Sequence, residues 1–203
     1  MNFQLNLSLQ NFIYSLESAV LTLILILGIG LIFAAIRHLF SSVIPGGFII
    51  INYFTIPGVI HHELSHALFA FLTGAKVTEV RLFKLLSFDG TLGSVSYQPR
   101  GGHLLQGLQN FFSAIAPIPC GIATSILLYV YALPHAGGNI ALVILIYYLI
   151  ICIVLHMELS IPDLVNLFQG LPVVFVMITA VYFLMDVRLV AVMVELIRFV
   201  SEG

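Results

Sequence analysis

Apolar and polar positions divide the chain into five long apolar segments and one extended polar region. The apolar segments cover residues 18–40, 44–72, 108–133, 140–155 and 171–185, and the polar region covers residues 73–107. A helix rises ~1.5 Å per residue, so about 20 apolar residues cross the ~30 Å core of a bilayer. The pattern predicts an all-α membrane protein, a polytopic bundle of about five to six transmembrane helices.

Prolines and glycines interrupt the second segment, and its later part is predicted to be a separate helix. Thr55 can cap this helix, Pro57 suits its first turn, and Gly74 suits the position just past its end. After Asp186, a C-terminal stretch either continues the fifth span or lies as a helix along the membrane interface.

The polar region alternates in the manner of β-strands. Such alternation covers residues 77–82 and 94–97, with Asp89-Gly90 between them as a turn signal. A small β-hairpin or sheet is therefore expected after the second span. Its free edge could hold an extended substrate as an added strand, and a plain connecting hairpin is the alternative.

Composition identifies the solvent of this fold as lipid. Of the 203 residues, 61% are hydrophobic and only 8% are charged, and the mean hydropathy is +1.14, whereas a soluble domain carries roughly 25% charged residues. The net charge of −2 excludes a nucleic-acid partner. The length suits one domain, 1–203, made of an additional N-terminal span (18–40), a core (56–172) and a C-terminal span with a possible interfacial helix (173–203).

Charge also indicates an orientation. The polar region carries four of the seven basic residues, namely Lys76, Arg81, Lys84 and Arg100. By the positive-inside rule this region should be cytoplasmic, and the N-terminus with it. Arg37, near the end of the first span, favours the opposite orientation.

The chemistry is concentrated in one motif inside the second apolar segment. Residues 62–66 read His-Glu-Leu-Ser-His, which is an HExxH motif. On a helix, His62 and His66 share a face and can bind one zinc ion. Glu63, one residue on, can reach a water molecule at that metal and take its proton as general base. The neighbouring His61 points to a different face and is expected to be structural.

The free-energy cost of ionisable groups inside a membrane makes a chance occurrence of this motif improbable. Each ionisable group at membrane depth costs roughly 2.5–3.5 kcal/mol, so such groups are functional by default. The alternative is a cluster of buried polar residues that hydrogen-bond neighbouring helices.

A catalytic zinc needs a third protein ligand and an open position. Asp163 is the predicted ligand, because Pro162 should break the helix just before it and let the carboxylate project inward. Glu158 and His156 are the alternatives, and Asp163 could instead be only a helix cap. Asn166 could bind the substrate backbone, orient Asp163 or make an ordinary contact between helices. A second break is expected at residues 170–172.

With these residues the chain resembles the site-2 protease type of intramembrane zinc metalloprotease, and in particular a small branch of that family. The strongest match covers residues 56–67 and 73–75, and residues 114–117 are similar to the family's small-residue element before its next core helix. One departure is that no Gly follows Asp163, where better-known members have Leu-Asp-Gly after Asn-x-x-Pro. The resemblance implies a zinc endopeptidase that cleaves membrane-associated protein or peptide substrates near or within the bilayer.

The competing interpretation is a metal-binding membrane protein without hydrolytic activity, a transporter or an inactive scaffold. A transporter should show polar residues along several spans, or repeats with matched broken helices. The polar residues here converge on two segments and no repeat is present, which favours the enzyme.

Overall fold

The computed structural model describes residues 2–43, 53–84, 92–186 and 188–202. Over these residues it contains seven helices and one two-stranded sheet. These elements are α1 (Asn2–Val43), α2 (Ile56–Leu72), β1 (Lys76–Arg81), β2 (Ser94–Gln98), α3 (His103–Ile115), α4 (Pro117–Leu127), α5 (Ile140–Leu155), α6 (Ile161–Met185) and α7 (Leu189–Glu202). A π-helical turn (Leu128–Ala132) and one further helical turn (Leu133–His135) extend α4.

Among the described helices, three stretches are long and apolar enough to cross a membrane. They are Leu9–Val43 with 35 residues, Pro117–His135 with 19 and Ile161–Met185 with 25. The helices α2 and α5 are shorter, with 17 and 16 residues, and fall below the about 20 residues of a typical span. The prediction of a helical membrane protein is confirmed, and the number of five to six spans stays a prediction.

The chain divides into two compact units. One unit comprises Met1–Gly28 and Leu171–Gly203, and the other comprises Ile29–Gly170. The predicted single domain and the core boundaries of 56–172 stay predictions.

In the first unit, polar contacts join α1 to the C-terminal segments. The Thr22 and Tyr182 hydroxyls lie 2.9 Å apart, and the Leu189 N–H donates to the Ser18 hydroxyl at 3.1 Å. Asp186 has a φ of +50°, which ends α6. The C-terminal stretch is therefore a separate helix, α7, and does not continue the preceding span.

In the second unit, the signals at the ends of α2 act as expected in two of three cases. Pro57 lies in its first turn, and Gly74 follows its end with a φ of +87°. Thr55 occupies the cap position, but its side chain does not cap the helix. Its hydroxyl instead lies 2.7 Å from His156 Nε2, so the capping prediction for Thr55 is wrong.

The two strands form the expected antiparallel pair. Lys76 pairs with Gln98 and Arg81 with Ser94, with an irregularity between Val77 and Glu79. The predicted turn at Asp89-Gly90 lies outside the described residues. Along β2, Val95 and Tyr97 are half-buried whereas their neighbours in the strand, Ser96 and Gln98, are exposed. Side chains alternate along a strand, so one face of β2 is directed toward the protein.

Of the two expected helix breaks, one lies earlier in the chain than predicted and the other is absent. Pro162 does not end a helix but lies in the first turn of α6, because the break falls between Leu155 and Ile161. The break expected at residues 170–172 is absent, since α6 runs through Pro172. Prolines are tolerated inside membrane helices when the freed backbone groups are satisfied locally.

Gly170 allows α6 to pack closely against α3 and does not interrupt the helix. A Cβ atom at this position would overlap with the Gly107 carbonyl oxygen and the Phe111 backbone of α3. Small residues allow two helix backbones to approach closely. The glycine therefore lets the first part of α6 cross α3 at short range, which brings the start of α6 into the second unit.

Candidate metal centre

The helix α2 presents two imidazoles to one point. His62 and His66 lie one turn apart, and their Nε2 atoms are 3.0 Å from each other. Residues four apart are neighbours on a helix surface, so the HExxH spacing itself explains why these two rings meet.

Backbone carbonyls hold the other nitrogen of each ring. His62 Nδ1 lies 2.6 Å from the carbonyl oxygen of His156, and His66 Nδ1 lies 2.7 Å from that of Ser113. A carbonyl can only accept, so each Nδ1 carries the proton and donates it. In the neutral rings both Nε2 atoms then carry lone pairs that face each other at 3.0 Å. Such a pair is stabilised by a cation bound to both nitrogens, and this arrangement is typical of metal-binding histidines.

These two carbonyls are available because helices are interrupted beside them. In a continuous helix the Ser113 carbonyl would accept from the backbone N–H of residue 117, but residue 117 is a proline and has none. His156 follows the last residue of α5, so its carbonyl has no partner in that helix. The Ser113 carbonyl accepts instead from the Ala116 N–H at 3.3 Å, which leaves its second lone pair for His66, and the His156 carbonyl is available for His62.

Asp163 completes the cluster from the first turn of α6. Its Oδ1 lies 3.3 Å from His66 Nε2 and its Oδ2 lies 3.9 Å from His62 Nε2. Oδ2 also accepts hydrogen bonds from the backbone N–H of Ser160 at 2.9 Å and from its hydroxyl at 2.5 Å. Asp163 thus takes part in capping α6 and also faces the two histidines, so the two sequence interpretations are compatible.

The donor set fits zinc. One nitrogen from each of His62 and His66 and one oxygen from Asp163 all lie within 4.8 Å of one another. Two ligand atoms at about 2.0–2.2 Å from one zinc ion can be at most about 4.4 Å apart. Three separations satisfy this limit: 3.0 Å between the imidazoles, 3.3 Å from His66 Nε2 to Asp163 Oδ1 and 3.9 Å from His62 Nε2 to Asp163 Oδ2.

The two alternative ligands are engaged elsewhere. Glu158 forms an ion pair with Arg37 of α1. His156 Nε2 lies beside Thr55, and burial lowers the pKa of His156 to about 3, with smaller contributions from the charge of Arg37 and from His62. The neutral His156 ring thus supports the loop between α5 and α6, while its carbonyl holds His62.

Glu63 faces the same cavity as the two imidazoles. Its residue is only 8% exposed, and the cavity of about 530 Å³ is lined by Glu63, the three potential ligands and the start of β2. Gly93, just before β2, packs directly against it: a Cβ atom at Gly93 would lie 2.5 Å from Glu63 Cγ and 2.8 Å from Oε1. The loop before β2 therefore limits where the Glu63 carboxylate can go.

Two other predicted residues are placed as follows. Asn166 lines the cavity, and its role in substrate binding stays a prediction. His61 Nε2 lies 3.0 Å from the Thr124 hydroxyl of α4, away from the other two histidines, which agrees with a structural role.

The sequence reasoning missed the contributions of Ser113 and Tyr97. Pro117, four residues after Ser113, is a readable signal for a carbonyl that lacks its usual helical donor. Tyr97 lines the cavity from β2; alternation places it on one face with Val95, but alternation does not reveal which face is directed toward the motif.

A comparison with protein-family models gives a match over most of the chain. A family model described as Peptidase M50B-like matches residues 29–201. No curated protein and no solved structure gives a significant match. The matched range includes the HExxH helix, the sheet and Asp163.

Proposed function

The chain belongs to the Peptidase M50B-like family, and from this premise we propose that it is a zinc-dependent intramembrane endopeptidase. Its substrates would be membrane-associated proteins or peptides. The family agrees with the resemblance to site-2 proteases noted above, and the apolar helices agree with a membrane protein.

One observation carries the proposal. The Nε2 atoms of His62 and His66 face each other at 3.0 Å while both Nδ1 atoms donate to backbone carbonyls. A cation bound to both nitrogens would stabilise this arrangement, and Asp163 supplies a carboxylate beside it. A buried general base on the next residue then suits hydrolysis better than a purely structural metal site.

Three side chains would bind the zinc ion, and a fourth would transfer protons. A zinc ion held by His62, His66 and Asp163 would lower the pKa of water to about 7 and polarise the substrate carbonyl. Glu63 takes one proton from the attacking water as the oxygen bonds to the carbonyl carbon. When the C–N bond breaks, the electron pair goes to nitrogen, and Glu63 delivers the proton there.

The edge of β2 opposite β1, beside the cavity, offers a place for the substrate to bind. A helical peptide bond is shielded by its own hydrogen bonds, so a transmembrane substrate must unwind before water can attack it. Within the described residues β2 pairs only with β1, and β2 lines the cavity. We expect the unwound segment to add as a strand to the edge of β2 not paired with β1, with Asn166 binding its backbone.

Metal content and cleavage test the proposal together. Purified wild-type protein in detergent should hold about one zinc ion per chain, and His62→Ala should abolish it whereas His135→Ala, at an exposed position, should not. Glu63→Gln should keep the metal and lose cleavage of a reconstituted transmembrane substrate by about 10²–10⁴-fold. Glu79→Gln on the exposed strand β1 is the matched control.

Two results would contradict the proposal. If the purified protein contained no metal, the proposal would lose the zinc site on which it rests. Wild-type protein that holds zinc but cleaves no membrane substrate would favour a non-hydrolytic metal-binding protein instead.

The proposed orientation places the sheet and the N-terminus in the cytoplasm. A cysteine introduced at the exposed Thr78, in a chain whose Cys120 and Cys152 are replaced by Ala, should react with an impermeant maleimide only from that side. Labelling from the opposite side would show that the sheet lies outside the cytoplasm and that the proposed orientation is wrong.

A further inference from the structure

Tyr97 places a buried polar group in the cavity without an evident structural use. Its side chain lines the cavity together with Glu63 and Asp163. The hydroxyl is shielded from solvent and makes no hydrogen bond of good geometry within the described residues. A buried polar group without a partner costs roughly 1–3 kcal/mol. A catalytic role is one explanation for a retained cost of this kind, and the position of Tyr97 in the cavity favours it.

The strand carries Tyr97 past the candidate metal centre. Gly93 contacts Glu63 immediately before β2 begins, and the chain then advances ~3.3 Å per residue. Four residues later, Tyr97 lies beside Ser113 and close enough to Asp163 for the carboxylate to raise its pKa. Ser113 is the residue whose carbonyl holds His66. The strand therefore extends from the general base to the metal ligands.

We propose that Tyr97 is a catalytic residue that donates a hydrogen bond to the carbonyl oxygen of the scissile peptide bond. This inference rests on the proposed peptidase function and adds a residue to it. As water attacks, the carbonyl π electrons move onto that oxygen, and a hydrogen-bond donor in a water-excluded site stabilises the developing charge. The phenol lies beside the Ser113 hydroxyl without a well-aligned hydrogen bond to it, and it gains such a partner when substrate is bound.

Tyr97 keeps its proton throughout this step. The proton of the attacking water goes to Glu63 and later to the leaving nitrogen, so no proton from the phenol is consumed. Burial raises the pKa of Tyr97, and the Asp163 carboxylate adds to this effect against the opposing influence of the Ser113 hydroxyl. The phenol therefore remains a donor at neutral pH.

Neighbouring polar groups are less suited to this role. The Ser113 hydroxyl already donates to the carbonyl of His66 at 3.3 Å. Asn166 follows Asp163 by one helical turn on α6, and its amide offers both a donor and an acceptor, which suits the backbone of an extended substrate.

The test compares Tyr97→Phe with wild-type protein, both loaded with zinc and reconstituted with a transmembrane substrate. We expect kcat to fall by about 10²–10³-fold, the loss observed when one oxyanion donor is removed, while KM changes by less than about threefold. Zinc content should be unchanged. The matched control is Tyr131→Phe, whose side chain is 63% exposed on the extension of α4.

Two further measurements separate catalysis from a structural role. Removal of a buried hydroxyl without a partner should leave the thermal midpoint unchanged or raise it, whereas a structural hydroxyl would lower it on removal. A peptide with a phosphinate in place of the scissile bond mimics the tetrahedral state and should bind Tyr97→Phe more weakly by the same factor as kcat/KM falls.

A kcat within about threefold of wild type, or equal phosphinate affinity in the two proteins, would overturn the role of Tyr97. Neither result would affect the peptidase proposal if Glu63→Gln still abolishes cleavage. A wild-type protein without cleavage would refute the peptidase function itself and, with it, the role of Tyr97.

Discussion

Gly93 allows a direct test of where the proposed general base, Glu63, must lie. Replacement by alanine adds one methyl group, which would lie 2.5 Å from Glu63 Cγ, whereas ordinary contacts begin near 3.4 Å. The Glu63 side chain must therefore move by about 0.9 Å, the difference between these two distances. Gly93 does not have a positive φ, so alanine introduces no backbone strain of its own.

A displacement of this size should affect catalysis more than folding. A misplacement of about 1 Å in a reacting group can cost 10²-fold in rate, which corresponds to about 2.7 kcal/mol of transition-state stabilisation. The overlap with the buried Glu63 side chain costs about 1–3 kcal/mol of stability, and the lower conformational entropy of the unfolded chain offsets about 0.4–1 kcal/mol of this. We therefore expect Gly93→Ala to remain folded and zinc-loaded, and to cleave about 10²-fold more slowly.

The assay measures cleavage of a transmembrane substrate in vesicles, together with zinc content and the thermal midpoint. Gly102→Ala is the matched control, since nothing lies within 4 Å of the added methyl group, and its activity should equal that of wild type. Wild-type activity in Gly93→Ala would refute the reasoning, as would a loss of zinc or of folded protein that accounts for the whole decrease.

The remaining predictions concern the third ligand and the packing of α6. Asp163→Ala should weaken zinc binding more than Glu158→Ala in competition with a chelator, and the reverse order would transfer the ligand role to Glu158. Ser160→Ala removes the 2.5 Å hydrogen bond that orients Asp163 and should weaken zinc affinity about 10–100-fold; unchanged affinity would contradict this. Gly170→Ala should destabilise the fold by about 1–3 kcal/mol through overpacking, measured as a lower thermal midpoint, whereas Gly28→Ala, which meets nothing within 4 Å, should not.

The sequence predicted those parts of the fold whose ends carry their own chemical signals. The predicted bounds of α5 agree with the structure, because Asn139 accepts hydrogen bonds from the backbone N–H groups of Ala141 and Leu142 and polar residues follow Leu155. The antiparallel pair of strands was predictable from the alternation of apolar and polar residues in the two segments, despite the irregularity between Val77 and Glu79. The facing of His62 and His66 needs only the helical period, which is a local property.

Features that depend on contacts between distant segments were not predictable in this way. Pro172 reads as a break, but whether a helix continues through a proline depends on its neighbours. Thr55 reads as a cap, and its hydroxyl is instead used by His156, about a hundred positions later in the chain. Local signals define which conformations are available, and tertiary contacts select among them.

The candidate metal centre shows why its helices have to be interrupted. A buried imidazole that offers one nitrogen to a metal must donate its other N–H to an acceptor, and no solvent is available for this. Carbonyls inside a helix already accept a backbone N–H, so those beside an interruption are better placed to accept from an imidazole. Pro117 frees the carbonyl of Ser113 for His66, and the end of α5 frees that of His156 for His62. The interruptions thus belong to the metal site as much as the ligands do, and a proline four residues after a possible acceptor is a signal that the amino-acid sequence alone displays.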